Sequence, residues 1–264
     1  MHDFAYIAIA IVLAAAALWL LRRAPWRGPK PRYPVVLVHG FMGFDSISIG
    51  KDSRHYFNGV VEALRGLGIE VHVPALPMAG SVAQRAERLA KSVREISAGQ
   101  VHLIGHSMGG LDARYAIRHL GLSQKVRSLT TIGTPHRGSP VANLGAAVAP
   151  LLGRIGVAAI GDLTTEAAEH FNRDNPDVPG VRYYSVVSAI EDPSIANSML
   201  RPAYQVLKRV SGPNDGVVPA SSQVWGEELE RVPWDHWAQI GWSKAVDPVP
   251  LYLRLTTVLR RRGG

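Results

Sequence analysis

One serine has the spacing of a catalytic nucleophile. It is the central residue of Gly105-His106-Ser107-Met108-Gly109, after the apolar run Val101–Ile104 and before a helix-forming segment that begins at Leu111. A strand, a sharp turn and a helix in this order leave the serine side chain exposed at the apex of the turn. The turn strains its central residue and has room only for minimal side chains two positions away. Ser107 is therefore a candidate nucleophile, and the alternative is an ordinary glycine-rich turn.

A histidine must activate such a serine. Its hydroxyl is a weak nucleophile near neutral pH and needs a general base, in most cases a histidine that a carboxylate orients. Among the ten histidines, His170 and His236 lie well beyond Ser107 and after the next core strand. His236 stands in an aromatic, turn-like stretch near the C-terminal region, whereas His170 lies in a predicted insert helix, where a solvated role is expected. His236 is the predicted base.

The predicted acid is Asp215, in the tight turn Asn214-Asp215-Gly216. In doubly wound hydrolases the chain order is serine, acid, histidine, which Asp215 satisfies. The same tripeptide is also simply a good turn. Asp192 is an alternative acid. Asp235 adjoins the base, but adjacent side chains on a strand or turn usually point apart, so Asp215 is preferred.

Ester chemistry also requires donors for the oxyanion, each worth about 3–4 kcal/mol. One is the backbone N–H after the nucleophile, on Met108, and the other is expected in the loop after the first core strand. That loop reads His39-Gly40-Phe41-Met42-Gly43, which makes the Phe41 N–H the candidate. His39 is expected to orient the loop and not to act as a catalyst.

Alternating strands and helices are expected to position these groups. Buried strands are predicted at Val35–Val38, Glu70–Val73, Val101–Ile104, Val126–Ile132 and Val181–Val187, and helices near His55–Leu67, Ser81–Ala98 and Pro250–Arg262. This alternation predicts an α/β fold, with a mostly parallel sheet covered by helices on both faces. Residues 34–264 form the predicted domain. Its insert at about 140–179 is read either as core helices or as a mobile apolar lid over a substrate cleft.

The N-terminal segment predicts a membrane anchor at residues 1–22. Phe4–Leu21 is apolar and uncharged, and as a helix it reaches roughly 27 Å, enough to cross a hydrocarbon core. A cleaved signal peptide is the competing reading, although Met1–Asp3 lacks the usual Lys or Arg. Positive charges after the run predict a cytoplasmic globular domain on a bacterial inner membrane. A basic Pro/Gly-rich linker follows at 23–33.

Charge and cysteine content restrict the partners. The formal net charge is +8, and basic residues cluster in two places: Arg22, Arg23, Arg27, Lys30 and Arg32 after the apolar run, and Arg260, Arg261 and Arg262 at the end. A membrane surface explains this placement better than a nucleic-acid groove, and no nucleic-acid motif is present. The chain has no cysteine, which excludes disulfides, thiolate metal sites and a cysteine nucleophile.

These motifs together resemble the bacterial triacylglycerol lipases of the lactonizing-lipase type, in the α/β-hydrolase superfamily. The resemblance runs from about Tyr33 to Gly241 and includes the oxyanion loop, the serine turn, Gly133–Ser139, Leu163–Asn172, the Asp215 turn and Asp235-His236. It implies hydrolysis of carboxylic esters of lipid-like substrates through an acyl-enzyme, with a lid in the insert. A phospholipase, a short-chain esterase and a non-catalytic scaffold of the same fold are the alternatives.

The sequence departs from the family pattern at the disulfide and at the calcium site. Family members usually carry a disulfide near the lid, and this chain has no cysteine. They also often bind calcium through two aspartates, one of them two positions after the catalytic histidine. That position is Ala238 here, and Asp192 alone would make a poor site. The sequence therefore predicts no metal or other cofactor.

Overall fold

The computed structural model describes residue 28 and residues 30–41, 46–49, 52–152, 157–194 and 196–263, with the backbone alone at 46–49, 52–55, 148–152 and 263. The predicted anchor at 1–22 lies outside these residues, as does most of the predicted linker. No helix within the described ranges is long and apolar enough to span a membrane.

Six parallel strands form the central sheet, in the order β4-β1-β5-β6-β7-β8. The remaining strands, β2 and β3, pair as a separate antiparallel hairpin. The strands are β1 (Val35–Val38), β2 (Ser46–Ile49), β3 (Asp52–His55), β4 (Val71–His72), β5 (Val101–His106), β6 (Val126–Ile132), β7 (Arg182–Ser188) and β8 (Glu227–Val232). β1 and β5 are buried along their whole lengths, as expected for strands covered on both faces.

Helices cover both faces of the sheet. They are α1 (Val60–Gly66), α2 (Val82–Glu95), α3 (Met108–His119), α4 (Pro140–Leu152), α5 (Val157–Asp162), α6 (Thr165–Asp174), α7 (Arg201–Val210), α8 (Ala220–Gln223) and α9 (Val249–Gly263). One core packs α1 and α9 against the sheet, and the other packs α2 and α3 against the opposite face. The mostly parallel α/β fold is thus confirmed.

The register fixes the two ends of the sheet. It aligns Val35 with His102, His102 with Ser128, and Ser128 with Arg182, so these residues form one row near the amino ends of their strands. Ser107 follows β5 at the opposite, carboxyl end. In open α/β sheets ligands bind outside the carboxyl ends of the strands. The fold therefore places the candidate nucleophile where such sites form.

The insert between β6 and β7 is helical, as predicted, and consists of α4, α5 and α6. It contacts the core through Asp162, whose Oδ2 accepts the Val82 N–H at the start of α2 at 2.7 Å. Partial burial raises the pKa of the Asp162 carboxyl, while this amide opposes the shift. Whether the insert opens as a lid stays a prediction.

The element boundaries differ from the sequence prediction in several places. The helix expected from His55 begins at Val60, because His55 ends strand β3 and Gly59 adopts a positive φ of 75° before the helix. The strand expected at Glu70–Val73 is reduced to Val71–His72. The hairpin β2–β3, the strand β8 and the helix α7 were not predicted.

Candidate active site

The turn at Ser107 has the strained geometry expected of an exposed nucleophile. Ser107 has φ 55° and ψ −132°, and no other described residue except glycine has a positive φ. A Cβ at Gly105 would lie 2.7 Å from the Gly110 nitrogen, and one at Gly109 would lie 2.3 Å from the Val38 oxygen. Glycine is thus required at both positions. The Thr134 hydroxyl donates to the Ser107 carbonyl at 2.8 Å and helps to hold the turn.

Asp215 and His236 form a buried pair. The Asp215 Oδ2 lies 2.7 Å from the His236 Nδ1, and the His236 backbone N–H donates to the Asp215 carbonyl oxygen at 2.9 Å. These two contacts fix both the position and the ring orientation of the imidazole. With Nδ1 as the donor, Nε2 is left as the acceptor, which is the arrangement a general base needs.

Backbone and amide donors hold the Asp215 carboxylate. Its Oδ1 accepts the N–H groups of Val217 and Val218 at 2.9 and 2.7 Å, and its Oδ2 also accepts the Gln239 side-chain amide at 2.9 Å. Both oxygens of this buried carboxylate therefore have hydrogen-bond donors. The Asn214-Asp215-Gly216 turn therefore reverses the chain and also orients the Asp215 side chain.

A cavity of about 480 Å³ joins the serine and the histidine. Ser107 and His236 both line it, together with Phe41, Trp237 and Trp242 among others. The predicted nucleophile, the predicted base and the oxyanion-loop residue Phe41 thus line the same cavity. Met108 lies fully buried at the first position of α3. The first N–H groups of a helix have no intrahelical acceptor, so the Met108 amide is suited to an anion.

A second, smaller cavity begins at the same serine. It has a volume of about 220 Å³, and its lining beyond Ser107 is mainly apolar, with Val141, Gly145 and Ile160 from the insert among its residues. Leu163 and Val217 line both cavities, so they lie between them. Ser107 therefore stands where two apolar spaces meet.

Buried polar contacts fix the loop that carries Phe41. The Nδ1 of His39 contacts the Gly40 carbonyl at 2.9 Å, and its Nε2 accepts the Leu76 N–H at 3.2 Å, which matches the predicted orienting role. The fully buried Arg85 donates to the His39 and Pro77 carbonyls at 2.6 and 2.7 Å.

Arg85 also donates to the Asp112 Oδ2 at 2.9 Å, which ties this loop to helix α3. Burial raises the pKa of the Asp112 carboxyl to about 7, against the opposing effect of the Arg85 charge. Sequence analysis missed both residues, because nothing in their local sequence shows that they meet.

Comparisons with known proteins decide the family. A family model described as a PGAP1-like alpha/beta domain matches residues 79–229, a range that contains Ser107 and Asp215. The triacylglycerol lipase of Pseudomonas fragi is 30% identical over 291 residues, covering 88% of this chain and 97% of the relative. The chain belongs to the triacylglycerol lipase family. The lipase is a carboxylic ester hydrolase of the α/β-hydrolase superfamily, which confirms the resemblance seen in the sequence.

Other relatives agree with this assignment. The triacylglycerol lipase of Vibrio cholerae is 30% identical over 320 residues, covering 97% of this chain and 98% of the relative. The solved structure of the Bacillus licheniformis lipase BlEst2 in its mature form is 26% identical, with a TM-score of 0.70 and coverage of 88% of this chain and 94% of that one. The metagenomic carboxyl esterase MGS0156, at 17% identity and a TM-score of 0.76, shares the fold.

Two further residues of the lipase, Tyr56 and His106, connect the parts of the site. The Tyr56 hydroxyl lies 2.8 Å from the His106 Nδ1, and the His106 Nε2 lies 3.1 Å from the His236 carbonyl oxygen. Burial raises the pKa of Tyr56, and the Gly40 backbone amide bonded to it opposes the shift. Sequence analysis did not assign His106, although its place beside Ser107 in the glycine turn was a signal.

The alternative site residues lie elsewhere or contact other groups. His170 is exposed on α6, where its ring contacts Arg173. Asp192 is exposed and accepts the Ser194 N–H at 2.8 Å. Asp235 is buried, but its oxygens accept the backbone N–H groups of Asn197, Trp237 and Ala238, so it joins the loop at Asn197 to the turn that follows the base.

The lipase fastens the last helix of its insert to α3 through Arg114. The buried guanidinium donates to the Asn172 side chain and the Asn175 carbonyl, each at 2.8 Å, and stacks 3.4 Å from the centre of the Trp225 ring. Burial lowers the pKa of Arg114 to about 10. Helix α6 is thus tied to the nucleophile helix by several contacts at once.

Proposed function

We propose that the chain hydrolyses carboxylic esters of lipid-like substrates through a Ser107 acyl-enzyme, with His236 as general base and Asp215 as its orienting acid. The observation that carries this proposal is the 2.7 Å contact between Asp215 and the His236 Nδ1, with Ser107 and His236 lining one cavity. The amides of Phe41 and Met108 are the proposed oxyanion donors.

In the acylation step the Ser107 Oγ attacks the acyl carbonyl carbon while the His236 Nε2 takes the hydroxyl proton. The bond between the carbonyl carbon and the leaving oxygen then breaks, and His236 returns the proton to the departing alcohol. In the second half, water attacks the acyl carbon and gives a proton to His236. The bond between that carbon and the Ser107 Oγ then breaks, the carboxylic acid leaves, and His236 returns the proton to the Ser107 Oγ. These steps use protein groups and water alone.

The cavities support a lipid-like acyl group as the substrate. Both spaces that meet at Ser107 are lined mainly by apolar side chains, which favours burial of hydrocarbon at about 25 cal/mol per Å². A polar acyl group would leave its hydrogen-bonding groups unpaired there. The enclosed position of the serine, between α5 and the acid turn, fits an ester whose chains extend in two directions.

The test is a series of p-nitrophenyl esters of increasing chain length with the wild type, Ser107→Ala and Ser128→Ala. Ser128 is also buried, but it lies on β6 near the amino end of the sheet and contacts His102. We expect Ser107→Ala to abolish measurable turnover and Ser128→Ala to keep it within about twofold. Full turnover by Ser107→Ala would overturn the proposal.

We also propose that residues 1–22 anchor the enzyme in a bacterial inner membrane as a single-pass helix. The uncharged run Phe4–Leu21 followed by Arg22 and Arg23 supports this proposal. Alkaline carbonate washing of cell membranes, followed by mass determination of the retained chain, tests it. Recovery in the soluble fraction, or a mature chain lacking Phe4–Leu21, would contradict the anchor. Protease access in right-side-out and inverted vesicles tests the predicted cytoplasmic side.

A further inference from the structure

Basic residues that lie far apart in the sequence meet at one edge of the sheet, at the amino ends of its strands. Arg32 lies just before β1, Arg127 on β6 and Arg182 at the start of β7. The last turn of α9 reaches the same edge, because the Arg262 guanidinium pairs with Glu227 at the start of β8 and stacks on the Tyr184 ring. We call this surface the basic edge, and it comprises Lys30, Arg32, Arg127, Arg182, Arg260, Arg261 and Arg262.

The preference of basic residues for the C-terminal turn of a helix explains some of the charges of the basic edge but not all of them. Basic side chains gather at helix C-termini because they offset the helix dipole, which explains Arg260, Arg261 and Arg262. Arg32 precedes a strand, and Arg127 and Arg182 lie on strands, so this explanation does not apply to them. A shared partner with negative charge explains both groups.

An open groove of about 560 Å³ lies within the basic edge. Arg182, Arg261 and Arg262 line it together with Tyr183, Tyr184 and Glu227. Arg182 and Arg261 are exposed there, and of the nearby carboxylates Glu227 pairs with Arg262 and Glu228 with Arg231. Guanidinium groups bind phosphate through paired, charge-assisted hydrogen bonds. The groove therefore fits the phosphate of a headgroup.

The basic edge lies at the opposite end of the sheet from the catalytic cavity. His102 on β5 is aligned, through Ser128, with Arg182 of the basic edge. Ser107 follows the end of β5, five residues after His102, which corresponds to roughly 16 Å at about 3.3 Å per residue. The chain also comes into the domain at this edge, where the Tyr33 ring packs 5.7 Å from the His102 ring. The nine residue-to-residue steps from Leu21 to Lys30 can span at most about 32 Å.

We propose that the basic edge docks on a bilayer of anionic phospholipids and that the catalytic cavity consequently faces away from that bilayer. The occupant is a lipid surface because the apolar run Phe4–Leu21, on whose proposed role as the anchor this inference rests, comes shortly before Lys30 and Arg32 in the chain. Basic side chains are attracted to an anionic leaflet, and this attraction weakens within a Debye length. Ester substrates then reach Ser107 from the side opposite the docked membrane.

The absence of cysteine allows a direct test with single labels on the full chain. Gln124→Cys places a fluorophore on an exposed loop beside the basic edge, before β6, and Met199→Cys places one near the cavity, at a residue 75% exposed. Both proteins are incorporated into nanodiscs of phosphatidylcholine with or without phosphatidylglycerol, with a headgroup-linked nitroxide as quencher. We expect at least threefold stronger quenching at position 124 than at 199 in the anionic discs, and a decrease with added salt.

Charge reversal supplies the matched control. Arg182→Glu with Arg261→Glu should reduce quenching at position 124 to its value on neutral discs, while turnover of a soluble ester stays within twofold. Lys208→Glu with Arg209→Glu makes the same charge change on exposed residues of α7, between β7 and the Asp215 turn, and should leave quenching unaltered.

Three results would overturn the proposal. Quenching at position 199 equal to or above that at 124 would mean that the cavity faces the bilayer. Equal quenching at 124 on neutral and anionic discs would mean that the basic edge serves another acidic partner. Equal effects of the two charge reversals would mean that net charge acts without a defined surface.

Discussion

The ring of His106 packs against the ring of His236, the proposed base, with a centroid separation of 4.6 Å and an angle of 47° between the ring planes. The contact of its Nε2 with the His236 carbonyl requires a proton on that nitrogen, so its Nδ1 accepts the Tyr56 hydroxyl hydrogen. Burial lowers the pKa of His106 well below its usual value, and the adjacent His236 lowers it further. His106 therefore stays neutral beside an imidazole that must gain and lose a proton.

Replacing His106 with phenylalanine should impair catalysis through the position of His236. Phenylalanine keeps an aromatic ring at this position but loses the hydrogen bonds to Tyr56 and to the His236 carbonyl. A misplacement of about 1 Å in an active site costs on the order of a hundredfold in rate. We expect kcat for a soluble ester to fall by about that factor with KM within threefold.

The control for this variant is His102→Phe, because His102 is also buried on β5 and also contacts a hydroxyl group, that of Ser128. Steady-state kinetics at a temperature where circular dichroism shows both variants folded makes the comparison. Equal losses in the two variants would show that His106 acts only through stability.

His102 should make folding depend on pH. Burial, with a further contribution from Arg127, lowers the pKa of His102 to about 4, so the unfolded chain binds more protons than the folded chain between about pH 6.5 and 4. The stability that neutral, buried His102 contributes is fully present above pH 6.5, and it decreases as the pH falls from 6.5 to about 4. The slope from this residue approaches about 1.4 kcal/mol per pH unit.

Urea unfolding of the wild type and His102→Phe at several pH values measures that slope. The variant should show a flatter decrease below pH 6.5 than the wild type. Parallel curves for the two proteins would mean that His102 is protonated in the fold.

Gly145 should control which acyl chains the smaller cavity accepts. A Cβ at this position would lie 3.2 Å from the Ile160 Cγ2, so Gly145→Leu would fill the space beside Ser107. One methylene in an apolar pocket is worth about 1–3 kcal/mol in selectivity. We expect kcat/KM for p-nitrophenyl octanoate to fall at least tenfold relative to the acetate. Gly161→Leu is the control, because the space around Gly161 is open. An unchanged octanoate-to-acetate ratio in Gly145→Leu would show that the acyl chain lies elsewhere.

Arg114 should determine how firmly helix α6 is held. Lysine cannot reproduce the planar stacking on Trp225 or reach both Asn172 and Asn175. We expect Arg114→Lys to lower the free energy of unfolding by about 2 kcal/mol and to speed amide exchange in Thr165–Asp174. Arg118→Lys, exposed on the same helix, should change neither quantity. Unaltered exchange in Arg114→Lys would mean that other contacts hold the helix.

The fold and the proposed triad could be predicted from local sequence, whereas the contacts that support them could not. Strand β1 is a continuous apolar run, the predicted strands alternate with helical segments, and the chain order of serine, acid and histidine is itself a signal. By contrast, Arg85 and Asp112 are ordinary charged residues on helices α2 and α3 until the fold buries them together. Their partners are set by tertiary structure alone.

Strand β8 was missed for a physical reason. Its sequence Glu-Glu-Leu-Glu-Arg-Val is largely charged, as is possible for a strand at the edge of the sheet in which Val232 alone is buried. A buried-strand pattern cannot detect such an element. Helix α7 does carry boundary signals, with Pro202 at its start and Lys208 and Arg209 in its last turn, and the pair Gly50-Lys51 between β2 and β3 is a hairpin-turn pattern, but these signals were not used in the sequence prediction.

The most direct test of the proposed mechanism is covalent labelling with a fluorophosphonate, read by peptide mass spectrometry. We expect one phosphonate per chain, located on Ser107, with labelling lost in Ser107→Ala and slowed by roughly 10⁴-fold in Asp215→Asn, where the histidine loses its orienting acid. Asp192→Asn, at an exposed carboxylate, should label at the wild-type rate. Labelling at another serine, or a wild-type rate in Asp215→Asn, would contradict the proposed mechanism.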